Sequence, residues 1–322
     1  MNTPLALAKD RSRARSQGVP AAGQPRFYLA LSRMPHCLLD LATPILAALL
    51  CLGGFPPPGI AFLALLTAFA GYTAVYAVND IVDYRIDLAN QAEFAKIDGY
   101  LDGAFMRHPL AQGALSLGQA LVWTAGWAGV ALAGAWLLNP VCALLLLAGV
   151  ALEVLYCLLL KVSHLRALIN GVVKTLGGLA AVLAVNPSPP PLFLAVLFLA
   201  LFSWEIGGQN IPADWFDLEL DERQGARTLP LILGRKRAAT LACLCLAAST
   251  FLCAALFPIS PAGLPWGLAL AALVPGGWLL LWPATGLLIR QGKDQAAVLF
   301  NHASYYPLAL LGLFLIWRWL PA

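Results

Sequence analysis

Nine stretches of about 20 mostly apolar residues occupy most of this 322-residue chain. An α-helix needs a run of that length to cross the hydrocarbon core of a bilayer, which is about 30 Å thick. Backbone polar groups inside lipid must be hydrogen-bonded within the protein, so the runs predict helices. The fold class predicted is all-α, a polytopic membrane protein with a bundle of nine transmembrane helices, at residues 35–54, 59–79, 114–137, 140–160, 165–186, 191–211, 237–257, 264–289 and 297–320.

The composition agrees with a membrane protein and excludes other classes. Hydrophobic residues make up 60% of the chain and charged residues only 11%, whereas a soluble domain carries about 25% charged residues. The net charge of +4 is small and indicates no nucleic-acid partner. The seven cysteines form no CxxC pair, which favours small core residues over a metal or disulfide framework.

The distribution of Lys and Arg predicts the orientation of the chain. Residues 1–33 form a polar, basic tail without a cleavable signal, followed by the transmembrane domain at 34–322. The joints between spans alternate between short uncharged, proline-rich turns and charged segments. The positive-inside rule therefore places the N-terminus and the charged joints in the cytoplasm, and a bacterial inner membrane is expected. The charged joints are 80–113 and 212–237, which we expect to cap the site, and 161–166 and 290–296.

Near the start of two of these joints, three aspartates occur at identical offsets of 0, 3 and 7 residues. On a helix, such offsets place the carboxylates on one face. Each set begins where an even-numbered span reaches the cytoplasm, with Asn79 before the first set and Asn210 one turn before the second. The two motifs therefore form a pseudo-repeat. The first motif, in "NDIVDYRID", comprises Asp80, Asp83 and Asp87, and the second, in "DWFDLELD", comprises Asp214, Asp217 and Asp221.

Carboxylates crowded at a bilayer boundary predict a bound cation. Like charges on one helix face repel each other, and the cost rises near lipid. Neither motif contains a histidine or a cysteine, and oxygen-only ligand sets suit Mg²⁺, which proteins usually hold with carboxylates and substrate phosphates. We therefore interpret the six aspartates as catalytic, metal-binding residues that hold a diphosphate. The alternative is a solvated acidic surface.

Positively charged side chains on the same side would complete a diphosphate clamp. The candidates are Arg107, Lys161, Arg223 and Arg227. Lys174 lies within the fifth span and is either a site residue or the buried partner of Glu153 or Glu205. Tyr156 is either a site residue or part of the interfacial aromatic belt. We interpret the four histidines, His36, His108, His164 and His302, as structural or interfacial.

At these residues the chain resembles the UbiA superfamily of intramembrane prenyltransferases. "NDIVDYRID" and "DWFDLELD" fit its two aspartate motifs, and "RHPLAQGALS" is similar to its RPLxxGxIS stretch with histidine in place of the arginine. The resemblance implies Mg²⁺-dependent transfer of an isoprenyl group from a prenyl diphosphate to a hydrophobic acceptor within the bilayer. It implies that Asn79 and the six aspartates bind metal and diphosphate, and that Arg107, Lys161 and Arg227 steady the departing charge.

The sequence leaves the acceptor open. An aromatic ring, such as a quinone or pigment precursor, is the acceptor we expect, because it is the commonest acceptor in the family. A lipid or sugar phosphate is the alternative. The alternative outside enzymes is a transporter. A transporter would have its polar groups near the bilayer midplane, whereas the acidic residues of this chain lie at one face. Residues 88–106 have an amphipathic pattern that includes Phe94, Tyr100 and Phe105, and they form either a lid over the site or a surface loop.

Overall fold

The nine predicted spans are confirmed, with small shifts at their ends. The computed structural model describes residues 24–89 and 105–319. Most of the predicted lid, residues 90–104, therefore lies outside the described residues. Within those ranges, nine helices are long and apolar enough to cross a membrane: Met34–Leu52, Pro58–Val82, Leu117–Leu138, Pro140–Leu158, Arg166–Val185, Pro191–Phe216, Arg235–Leu256, Trp266–Arg290 and Lys293–Trp319.

Local sequence explains where several spans begin. The second, fourth and sixth spans start at Pro58, Pro140 and Pro191, the first helical position, where the missing N–H of proline costs nothing. The third span begins after Ser116, whose side chain accepts from the Gln119 backbone N–H while the Gln119 side chain accepts from the Ser116 N–H. This reciprocal cap satisfies two N–H groups that the helix leaves without a partner.

The spans pack into one bundle whose apolar centre is formed by the first and the fifth to ninth helices. Leu50, Phe193, Leu246, Leu299 and Phe314 are all fully or almost fully buried in this cluster. Outside it, the second span packs along the third and the fourth packs along the fifth. This arrangement brings the ends of the second and sixth spans that carry the aspartates into one bundle.

A short helix before the first span lies within the predicted N-terminal tail. Pro25–Leu31 buries Phe27 and Leu31 against Leu110 and Leu115, which follow the first aspartate motif. The indole N–H of Trp123, in the third span, donates to the Ser32 hydroxyl at 2.9 Å. The end of the tail is therefore part of the packed domain and helps to hold the segment after the first motif.

Both aspartate motifs interrupt their helix at the middle aspartate. The second span ends at Val82 and a short helix, Tyr84–Ala89, follows Asp83; the sixth span ends at Phe216, and Leu218–Gln224 follows Asp217. The ψ angles of Asp83 and Asp217 are −3° and 10°, outside the helical range. The prediction of one unbroken helix face is therefore wrong in this detail, and the Asp217 carboxylate at the second break pairs with Arg107 from another joint. The shared break supports the pseudo-repeat.

A π-helical turn, Glu205–Asn210, precedes the second motif within the sixth span. It contains two glycines against which neighbouring spans pack closely. A Cβ on Gly207 would lie 2.8 Å from the Ala242 carbonyl oxygen, and one on Gly208 would lie 2.8 Å from the Ala303 Cβ. Such turns are rare and occur often at functional sites. Here the turn sets the rotation of the helix that carries Asn210 and Asp214.

Candidate active site

The first aspartate motif surrounds a histidine from the following joint. His108 Nδ1 lies 2.9 Å from Asp80 Oδ1 and 2.8 Å from Asp87 Oδ2. Both aspartates are buried, and Asp80 Oδ2 has no hydrogen-bond partner among the described residues. Asp83 is half-buried beside this cluster. His108, interpreted above as structural or interfacial, has its ring between two predicted metal ligands.

The electrostatics of this cluster reflect its burial. Burial and the charge of Asp87 raise the pKa of Asp83 to about 6. Burial alone would lower the pKa of His108, but the charge of Asp80 and hydrogen bonds to both aspartates raise it to about 9. The ring thus supplies positive charge between carboxylates that are costly to keep ionised without a cation.

The second motif is held by the neighbouring residue of the same joint. The Arg107 guanidinium donates to both carboxylate oxygens of Asp217, at 3.1 and 2.5 Å, which is the bidentate geometry of strong charge-assisted pairs. Arg107 and His108 are adjacent, so one dipeptide connects the two aspartate motifs. Burial and the charges of Asp214 and Asp217 raise the pKa of Asp221 to about 8.

The two asparagines that precede the motifs both contact the fourth span. Asn79 donates to Glu153 Oε1 at 3.0 Å and accepts from Arg33 at 3.0 Å. Asn210 donates to the Tyr156 hydroxyl at 3.4 Å. Glu153 and Tyr156 are three residues apart on the fourth span, so this helix lies between the two motifs and contacts both.

Arg166 completes this part of the site from the start of the fifth span. Its guanidinium lies 3.9 Å above the Tyr156 ring and is within electrostatic range of Asp83 and Asp214. The side chain is buried, and its Nε has no hydrogen-bond partner among the described residues. Arg166 is thus positioned to bind an anion between the two motifs.

Three predicted cationic site residues lie at the surface instead of among the aspartates. Lys161, Arg223 and Arg227 are exposed at the same end of the bundle, and the Arg223 side chain donates to the Glu219 carbonyl. The Arg227 backbone N–H donates to the Leu160 carbonyl at 2.7 Å, which fixes the joint after the second motif against the end of the fourth span. Any contact of these side chains with diphosphate remains a prediction.

Lys174 lies deeper, and its partner differs from those considered above. Its ammonium donates to Asp40 Oδ2 at 2.9 Å and to the Tyr76 hydroxyl at 2.7 Å. Neither Glu153 nor Glu205 is that partner; Glu205 instead accepts from Asn170 at 2.8 Å. Tyr76 is one helical turn below Asp80, so this pair lies directly beneath the first motif.

Sequence reasoning missed His108, Arg33 and Arg166 as residues of the site. Arg33 and Arg166 begin or precede spans, where positive charge is common for topological reasons alone. The departure of "RHPL" from the family's RPL stretch was the one signal that singled out His108.

The donor set fits a hard divalent cation. Asp80 and Asp87 lie close together around His108, one buried oxygen of Asp80 lacks a partner among the described residues, and burial and neighbouring carboxylates raise the pKa values of Asp83 and Asp221. A divalent ion held by carboxylate oxygens would remove that cost. The oxygens are those of the predicted metal ligands, and His108 adds a nitrogen.

Comparison with known proteins places the chain in a family. The model of the UbiA prenyltransferase family matches residues 41–305, which include both aspartate motifs and all of the helices that carry the site. The chain belongs to the UbiA prenyltransferase family. It is therefore an enzyme that transfers prenyl groups, which excludes the transporter alternative. As a UbiA protein with nine apolar helices in the described part of the chain, it is an integral membrane protein.

Several individual UbiA proteins are similar to this chain in sequence or in structure. The digeranylgeranylglyceryl phosphate synthase of Thermococcus kodakarensis is 29% identical over 269 residues, 84% of this chain and 89% of that protein. The solved UbiA homologue from Aeropyrum pernix K1 has a TM-score of 0.67 at 22% identity, covering 88% of this chain and 98% of its own. A homologue from Archaeoglobus fulgidus bound to GPP and Mg²⁺ has a TM-score of 0.60 at 19% identity, covering 89% and 99%.

Proposed function

We propose that this protein transfers an isoprenyl group from a prenyl diphosphate to a hydroxyl of a glycerophosphate lipid, in a reaction that requires Mg²⁺. The observation that carries the proposal is the pairing of two aspartate motifs through Arg107 and His108 at one end of the bundle. The A. fulgidus homologue bound to GPP and Mg²⁺ supports the donor and the metal.

The aspartates and the arginines of the site would make different contributions to ionisation of the donor. The aspartates would hold Mg²⁺, which as a Lewis acid neutralises the diphosphate when bound. Arg107 and Arg166 would orient the diphosphate, since guanidinium groups match the geometry of phosphate oxygens. The allylic C–O bond then breaks, and the diphosphate leaves with the electron pair. The acceptor oxygen forms the new C–O bond, and its proton passes to the departing diphosphate.

A lipid phosphate replaces the aromatic ring as the preferred acceptor. The name of the T. kodakarensis relative describes a glyceryl phosphate that carries two geranylgeranyl groups, rather than an aromatic product. A phosphate on the acceptor requires positive charge in addition to the groups that bind the donor. Arg33, which donates to Asn79 beside the first motif, would supply such a charge.

The test is a transfer assay with purified protein in detergent or nanodiscs. We expect mass spectrometry to detect prenylated product from geranylgeranyl diphosphate and geranylgeranylglyceryl phosphate, and none from 4-hydroxybenzoate. Transfer to 4-hydroxybenzoate alone would restore the aromatic assignment.

Removal of the metal or of its ligands tests the role of the aspartates. EDTA should abolish transfer and added Mg²⁺ should restore it. Asp83→Ala and Asp217→Ala should each lower turnover by at least about 1000-fold, because metal-held charge stabilisation contributes several kcal/mol. Asp294→Ala, at the exposed start of the ninth span, is the matched control and should retain full turnover. Transfer at the normal rate without divalent metal would contradict the proposal.

A further inference from the structure

The geometry around His108 resembles part of a metal coordination sphere. Its Nδ1 is 2.9 Å from Asp80 Oδ1 and 2.8 Å from Asp87 Oδ2. One ligand atom from each of the three residues lies within 4.8 Å of the other two. An octahedral ion with bonds near 2.1 Å separates neighbouring ligand atoms by about 3.0 Å. The nitrogen is therefore placed relative to each oxygen as two adjacent ligands would be.

Asp80 adds an independent indication of a missing ligand. Its side chain is 4% exposed, and its Oδ2 has no hydrogen-bond partner among the described residues. A buried carboxylate oxygen without a partner is costly, and buried charges in proteins are usually paired or bound to metal. The histidine satisfies only the other oxygen of this aspartate.

The backbone holds the imidazole in place at a conformational cost. His108 has a φ of 50°, the left-handed region that non-glycine residues rarely adopt, and it precedes Pro109, which disfavours helical conformations further. The turn is fixed by the Gln112 N–H to His108 carbonyl bond at 3.1 Å and by buried Leu110 and Leu115. Strain retained by surrounding packing is typical of functional positions.

We propose that His108 is a metal ligand, which together with Asp80 and Asp87 makes the first motif a mixed nitrogen and oxygen site for a first-row divalent transition metal such as Mn²⁺ as well as Mg²⁺. The inference rests on the proposed metal-dependent function. Carboxylates suit Mg²⁺ and Mn²⁺ alike, whereas an imidazole nitrogen binds a transition metal ion more strongly than it binds Mg²⁺. The bound ion would take the place of the proton that Nδ1 shares with the carboxylates.

Electron spin echo envelope modulation with Mn²⁺ tests this ligand directly. In tag-free, full-length protein with one equivalent of Mn²⁺, we expect the ¹⁴N modulation of a coordinated imidazole. His108→Asn should still bind Mn²⁺ through the aspartates but lose that modulation. His164→Asn, at a half-buried position in the joint between the fourth and fifth spans, should retain it. Bound Mn²⁺ without ¹⁴N modulation in the unaltered protein would overturn the inference.

Competition between the two metals gives a second readout. The affinity for Mn²⁺ relative to Mg²⁺ should fall at least about tenfold in His108→Asn, because the nitrogen ligand is lost. An unchanged ratio would mean that the ring lies outside the coordination sphere and would also overturn the inference. Prenyl transfer measured with Mg²⁺ in the same preparation separates this outcome from failure of the proposed function.

Discussion

At the scale of single residues, the site depends on two adjacent side chains that contact opposite motifs. Arg107 binds Asp217, while His108 lies between Asp80 and Asp87. The joint between the second and third spans therefore fixes the distance between two acidic clusters that would otherwise repel each other. This makes the dipeptide a positioning element for both halves of the site.

Replacing Arg107 tests its bidentate contact. Arg107→Lys keeps the charge but loses the two parallel hydrogen bonds to Asp217, so kcat/KM for the prenyl diphosphate should fall about 10- to 100-fold. Steady-state kinetics at saturating Mg²⁺ measures the effect. Arg290→Lys, at the exposed end of the eighth span, is the control and should be near normal. Equal kinetics for Arg107→Lys and the unaltered protein would show that charge alone suffices.

Replacing Lys174 distinguishes a substrate contact from a buried ion pair. Removing one partner of a buried pair costs about 3 kcal/mol or more, because the other charge is left uncompensated. Lys174→Met should therefore lower thermal stability, and the double variant Lys174→Met with Asp40→Asn should recover most of the loss. Thermal unfolding in detergent measures both. A Lys174→Met variant of normal stability but with a raised KM would instead assign Lys174 to substrate.

At the scale of elements, sequence predicted the helices well and their mutual contacts poorly. Each span could be recognised alone, because its length and apolarity are fixed by the bilayer rather than by its neighbours. The pair of Lys174 and Asp40 joins residues 134 positions apart, and no periodicity within either span indicates it. The breaks at Asp83 and Asp217 were likewise hidden, since the same spacing also suits a continuous helix.

The π-helical turn in the sixth span makes a prediction at this scale. Gly207→Ala places a Cβ 2.8 Å from the Ala242 carbonyl oxygen, so the sixth and seventh spans must separate, at a cost of about 1–3 kcal/mol. Both thermal stability and turnover should fall, because the turn orients the second motif. Gly312→Ala, in the ninth span, meets nothing within 4 Å and should have no adverse effect. Equal melting temperatures for the two variants would argue against a constrained turn.

At the scale of the whole molecule, both aspartate motifs lie at the same end of the bundle, together with the exposed Lys161, Arg223 and Arg227. The opposite end has uncharged joints with prolines. By the positive-inside rule, the site is predicted to face the cytoplasm, where water-soluble diphosphate and Mg²⁺ are available. The bilayer would supply the acceptor from the side.

Cysteine labelling tests this orientation. In a background without the seven native cysteines, a single cysteine at Gln224 should react with a membrane-impermeant maleimide only from the cytoplasmic side. One at Ser188, in the joint between the fifth and sixth spans, should react only from the opposite side. Retained prenyl transfer in each variant shows that the fold is intact. The reverse labelling pattern would refute the predicted topology.

The contact between Arg107 and Asp217 also has a consequence for biosynthesis. The two residues are 110 positions apart, and at about 5–20 residues per second a ribosome needs about 5–20 s to make the intervening chain. During that interval, the nascent protein has a complete first motif but no second one. The catalytic centre therefore forms only when the sixth helix enters the membrane, and a chain that stalls earlier cannot cleave prenyl diphosphate.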